Sequence, residues 1–93
     1  MEVQIEKPVE VDRLEFTMNL FGNYDENIKI IEDAFGIRIV SRDNGIKIIG
    51  TADKVEKAGK VVKHLINIAG TGETITRQNV NYIIQLEEEG QLD

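Results

Sequence analysis

Two glycines fence a short helix, and the hairpin that follows it leaves the chain few ways to fold. From Tyr24 to Phe35, Ile28, Ile31 and Phe35 recur at helical spacing, with Ile30 and Ala34 widening the apolar stripe. Gly22 lets the backbone turn at the helix entry, where Asn23 with Glu26 three residues on has the spacing of a capping box. Gly36 stands where a left-handed residue commonly closes a helix. Directly after it, Ile37 to Arg42 and Ile46 to Gly50 flank Asp43-Asn44-Gly45, and Asn-Gly between two β-rich runs is a strong hairpin signal.

Pairing about that turn sets Val40 opposite Ile49 and Arg42 opposite Lys47. Because strand side chains alternate between faces, Ile37, Ile39, Ile46 and Ile48 share one face and belong in a core. The other face carries Arg38, Val40, Arg42, Lys47 and Ile49, a mixed basic and aliphatic surface. It is the candidate surface for RNA or a protein partner, because aliphatic groups between cations can pack on bases or on protein while the cations meet phosphates or carboxylates. The same composition also suits an ordinary exposed sheet face.

Around this unit the rest of the chain falls into place. Leu14, Phe16, Met18 and Leu20 alternate with polar residues, which predicts a strand. Residues 1–12 alternate weakly and contain Pro8, so they read as an extended arm or an edge strand. Asp53, with Glu56 three residues later, is placed to cap a long helix whose apolar stripe is Val55, Ala58, Val62, Leu65, Ile66 and Ala69. Gly59 inside it suggests that the helix backbone comes close to a neighbour. Gly70-Thr71-Gly72 ends that helix, and Thr76 can cap a last one in which Val80, Ile83 and Ile84 seek cover.

The expected order is therefore β-α-β-β-α-α, an α+β fold with a three-stranded antiparallel sheet and its helices on one face. Ninety-three residues at 41% apolar content suit one core, with 13–90 as the folded part and 91–93 as a tail.

Composition narrows the function. The chain has no cysteine and one histidine, His64, so neither a disulfide nor a thiolate zinc site is available. No apolar run approaches membrane-spanning length and no signal segment opens the chain, which predicts a cytoplasmic protein with no membrane partner. A net charge of −6 argues against a general electrostatic grip on nucleic acid, so any such contact needs a local basic patch. Glu87 to Glu89 are consecutive and spread around a helix end, as a solvated run and not a paired acid and base. Gly70-Thr71-Gly72-Glu73-Thr74 lacks the lysine of a phosphate loop and follows a helix instead of a strand, so no ATP site is expected here.

Gly22-Asn23-Tyr24-Asp25 opening a helix, then Gly36-Ile37-Arg38-Ile39, a hairpin, and Ile49-Gly50 leading into a helix resemble a KH domain. In that family a GxxG loop clamps the backbone of a single-stranded nucleic acid. Here Asp25 replaces the second glycine, and Asp25 with Glu26 occupies the helix-dipole field that a phosphate would want. That departure favours a self-capped turn over a phosphate clamp.

More specifically, Leu20-Phe21-Gly22, Asp25-Glu26-Asn27-Ile28-Lys29, Glu32, Arg42-Asp43-Asn44, Ile48-Ile49-Gly50 and Ile75-Thr76-Arg77-Gln78-Asn79-Val80 are similar to the amino-terminal region of PhoH-like proteins. The resemblance implies a non-catalytic accessory domain preceding a P-loop ATPase, with ATP and magnesium belonging to that further domain. It implies single-stranded RNA as a partner. The alternative is a protein-interaction or self-association module without nucleic-acid binding.

Overall fold

The computed structural model describes residues 3–42 and 45–92. In chain order it contains β1 (Gln4–Glu10), α1 (Leu14–Phe21), a 3-10 turn (Asn23–Asp25), α2 (Glu26–Phe35), β2 (Arg38–Arg42), β3 (Gly45–Thr51), α3 (Ala52–Gly70) and α4 (Arg77–Glu88). The architecture is α+β, with a three-stranded antiparallel sheet ordered β1-β3-β2 and four helices.

The segment expected as a strand, residues 14–20, is the helix α1. Its apolar residues fit both periods. In the helix, Leu20 and Thr17 are buried with Phe16 and Phe21 packed beside them, while Leu14 and Met18, one turn apart, face outward. The position the strand would have filled is taken by β1, which pairs along β3 from Gln4–Thr51 to Glu10–Gly45. Residues 4–10 are thus an edge strand, where Pro8, lacking an amide proton, is tolerated.

The hairpin forms, but its register differs by two residues from the expected one. Val40 pairs with Lys47 and Arg42 with Gly45; Asp43 and Asn44 lie outside the described residues. A shift of two preserves the facing of every side chain. Ile37, Ile39, Ile46 and Ile48 are accordingly buried, each at most 5% exposed, against the helices. Gly45, at φ +146°, is demanded by its neighbour: a Cβ there would run into the Val9 carbonyl oxygen and lie 2.9 Å from the Val11 nitrogen.

Side chains tie the connections down. Gly36 closes α2 in the left-handed conformation, with its amide and that of Ile37 donating to the Glu32 carbonyl. The Glu32 carboxylate also accepts from the Ile39 amide at 2.9 Å, occupying a backbone donor of β2. Asn19 of α1 donates to the Glu73 carbonyl (2.8 Å) and accepts from the Ile75 amide (2.8 Å), and Asn27 of α2 donates to the Ile75 carbonyl (3.3 Å). Two asparagines therefore hold the extended segment between α3 and α4, and Ile75 is buried there. Thr76 and Asn79 form the capping box of α4.

Two other expected caps are absent. Asp25, not Asn23, is the residue before α2, and it makes no side-chain cap, while Glu26 sits 3.6 Å from Arg77. Thr51 precedes α3; its hydroxyl donates to Asp53 at 2.9 Å, and that bond holds the Asp53 carboxyl below the usual carboxylate range. The neighbour of Gly59 is the Lys7 side chain, 3.5–3.8 Å from where a Cβ would stand. Leu92, expected in the tail, is 7% exposed and joins the core.

Candidate ligand-binding surfaces

On the outward face of the sheet, the cross-strand rows are Glu6–Ile49–Arg38, Pro8–Lys47–Val40 and Glu10–Gly45–Arg42. Arg38, Val40, Arg42, Lys47 and Ile49 therefore do share a face. Arg38 and Arg42 are exposed, and Val40, Lys47 and Ile49 are half-buried. The structure adds two carboxylates, Glu6 and Glu10, that the hairpin alone could not reveal. Lys47 Nζ lies 3.2 Å from Glu6 Oε1, and the Arg42 guanidinium donates to the Ser41 carbonyl at 2.9 Å. The free positive charge is concentrated on β2, where Arg38 and Arg42 are separated by about 13 Å at the usual rise of a strand.

The loop Gly22-Asn23-Tyr24-Asp25 joins α1 to α2 and is conformationally unusual at three positions. Gly22 has φ 78° and ψ −176°, a combination open almost only to glycine. A Cβ there would also lie 2.7 Å from the side-chain nitrogen Nδ2 of buried Asn27, so this glycine is required by the fold whatever the loop binds. Tyr24 (φ 54°) and Asp25 (φ 59°) are both left-handed. Asp tolerates that region through its short polar side chain; a tyrosine rarely enters it. Asp25 thus keeps a backbone shape that suits glycine while supplying a carboxylate. Beneath the loop, Asn27 Oδ1 is buried without a hydrogen-bond partner.

Between α1, this loop and β2 runs a groove that the strand reading of residues 14–20 had hidden. One part, about 290 Å3, is lined by Leu14, Thr17, Met18, Phe21, Gly22, Asp25 and Ser41. It shares Leu14, Thr17 and Ser41 with an adjoining part of about 370 Å3 that continues to Glu10, Val11, Asp12, Arg42 and Gly45. Leu14 is 74% exposed, Met18 66% and Tyr24, on the loop between Gly22 and Asp25, 95%. The i, i+4 spacing of Leu14 and Met18, on the side of a helix away from Phe16 and Leu20, was the signal available in the sequence.

The remaining candidates are structural. His64 sits half-buried on α3, and no cluster of three His, Cys, Asp or Glu residues with metal-binding geometry occurs among the described residues. Gly70 ends α3 and Thr71 folds back on it, its hydroxyl donating to the Ile68 carbonyl at 2.7 Å, so this stretch is an interhelical turn. Among the described residues no helix is long and apolar enough to cross a membrane.

Comparison with known proteins adds a relative and a fold. No family model matches the chain. A PhoH-like protein of Bacillus subtilis (strain 168) is 25% identical over 76 residues, covering 82% of this chain and 24% of the relative, so the chain spans about a quarter of that protein's length. A crystal structure of a protein of unknown function from Aeropyrum pernix matches 98% of this chain and 50% of its own, with a TM-score of 0.71 and 16% identity. The first is a distant sequence relation to PhoH-like proteins; the second is a likeness of fold.

Proposed function

We propose that this chain is a KH-like, non-catalytic accessory domain of a longer PhoH-like ATPase, and that it holds single-stranded RNA along the β2 side of the sheet for that ATPase. The observation that carries the reading is the succession of a glycine loop entering a helix, a glycine stop, a hairpin and a long helix, joined to the distant PhoH-like match over 82% of the chain. ATP and magnesium belong, on this reading, to the ATPase domain, and its work on RNA carries a cytoplasmic setting with it. Arg38 and Arg42 supply the cations, while Val40 and Ile49 offer half-buried aliphatic surface on which bases can lie.

A second reading, a protein-interaction module without nucleic-acid binding, draws support from the Glu6–Lys47 pair and from Glu10, which oppose the cations on the same face. Charge reversal at Arg38 and Arg42 separates the two. The first reading expects loss of binding to a uridine-rich oligonucleotide with a reduced salt dependence, measured by fluorescence anisotropy on a variant whose circular dichroism is unchanged. Retained RNA affinity in that folded variant would leave the second reading standing. The parent reading stands or falls separately, on whether a P-loop sequence follows in the same reading frame.

A further inference from the structure

We propose that the groove between α1 and β2 is a docking site for a basic, apolar segment of a protein partner, gripped by Leu14, Met18, Tyr24 and Asp25. The groove adjoins the surface assigned to RNA and shares Arg42 with it, but the inference does not rest on that assignment.

The groove is furnished with apolar groups that the fold itself does not use. Six large hydrophobic residues are exposed among the described residues; Leu14 and Met18 line this groove, and Tyr24 stands on the loop between two of its lining residues, Gly22 and Asp25. Leu14 and Met18 stand one helical turn apart on the rim, and the cleft they line passes beneath Gly22 and Asp25. Scattered exposed apolar residues need no explanation, but two that line one groove beside a loop carrying a third point to a contact surface.

Tyr24 strengthens the case on independent grounds. It holds a left-handed backbone at φ 54° while the residue is 95% exposed, so packing within the chain does not recompense the strain. Such outliers, typically about 1–3 kcal/mol each, cluster where a ligand is held.

Charge selects the occupant. Glu10, Asp12 and Asp25 line the groove, and Arg42 is the cation that lines it with them, its guanidinium already engaged with the Ser41 carbonyl. A nucleic-acid strand laid here would bring its phosphates to three carboxylates. A segment carrying Arg or Lys meets the complementary sign instead: a guanidinium can bond Asp25 bidentately and stack on the Tyr24 ring, while a neighbouring aliphatic side chain fills the space between Leu14 and Met18.

The test uses residues 1–93 and a fluorescein-labelled peptide of alternating Arg and Leu. Its counterpart with Glu in place of Arg and a uridine oligonucleotide are run beside it, with NMR shifts read at the Met18 methyl and the Gly22 and Tyr24 amides. The basic peptide should bind and move those signals, and Asp25→Asn and Tyr24→Ala should each weaken it about tenfold, as loss of a charged or cation–π contact does. Replacing Glu87, Glu88 and Glu89 together by Gln removes three charges outside the groove and should leave affinity within about twofold, since distant exposed charges are screened. The proposal is overturned if the acidic peptide binds equally well, if the α4 variant loses as much as Asp25→Asn, or if the oligonucleotide moves the groove signals and Asp25→Asn tightens it. It also fails if sedimentation shows the free chain to be a dimer whose dissociation on dilution moves those same signals.

Discussion

The outer sheet face and the α1–β2 groove are both mixed surfaces of charge and aliphatic carbon, yet they carry opposite signs and reached those signs by different routes. The sheet face is basic on β2 and neutralised toward β1, because Glu6 reaches Lys47 across the sheet. The groove is acidic along its length, with Arg42 at the end where it meets the sheet. One residue type thus serves both surfaces from one strand, since Arg42 shares the outer row with Glu10 and also lines the groove beside it. The contrast teaches that a net charge of −6 says little about either surface: the same chain presents a phosphate-attracting strand and a cation-attracting groove within a few residues of each other.

The most severe way to break the comparison is at the residue that joins the two regions. Gly45→Ala would push a methyl into the β1 backbone at Val9, at a φ of +146° that an alanine resists. Overpacking against backbone and the left-handed strain together should cost about 3 kcal/mol or more. Both surfaces should fail together: the urea midpoint should fall sharply, and neither peptide nor RNA should bind at temperatures where the wild type does. A fully stable Gly45→Ala would mean that β1 does not pack against β3 as described.

The loop allows a finer cut, because its first and fourth positions answer to different demands. Gly22→Ala should lose about 2–3 kcal/mol, since its backbone conformation is nearly closed to other residues and its Cβ would strike Asn27. Asp25→Gly should instead raise stability, by about 0.5–1 kcal/mol, because the left-handed strain it relieves exceeds the chain entropy that glycine adds. It should also remove the carboxylate that meets the peptide's cations, so the groove should lose the basic peptide. Thermal unfolding of the two variants checks the stability signs; equal destabilisation by both would remove the distinction between a glycine the fold requires and one it can replace.

What the sequence made legible follows the same division. Side-chain parity within the hairpin is a local property, and it survived even a two-residue error in register, so Arg38, Val40, Arg42, Lys47 and Ile49 could be grouped correctly from spacing alone. The Thr76 cap and the Gly36 stop are likewise written within a few residues. The groove depends on which elements become neighbours. Leu14, Phe16, Met18 and Leu20 satisfy a period of two as well as a helical face, and only the occupation of the sheet edge by β1 decides between them. The absence of Val and Ile from Leu14–Phe21, with Leu, Glu and Met present, was a helix signal that alternation outweighed. Glu6 and Glu10 stayed invisible as counter-charges for the same reason, since the strand that carries them pairs with residues about forty positions away.

The gentlest perturbation asks how far that counter-charge governs the sheet face. Glu6→Gln breaks the ion pair at 3.2 Å without removing bulk, and both side chains are substantially exposed, at 59% for Glu6 and 37% for Lys47. Exposed pairs of this kind contribute about 0.5 kcal/mol or less, so the unfolding midpoint should hardly move. The electrostatic consequence should be larger than the stability change. Lys47 would be released into the row between Arg38 and Arg42, and RNA affinity should rise about two- to fivefold with a steeper salt dependence, as one more phosphate contact requires. The groove should be indifferent to the change, because Glu6 does not line it. A variant in which peptide affinity falls with RNA affinity unchanged would reverse the two assignments and place the polyanion-facing surface elsewhere on the molecule.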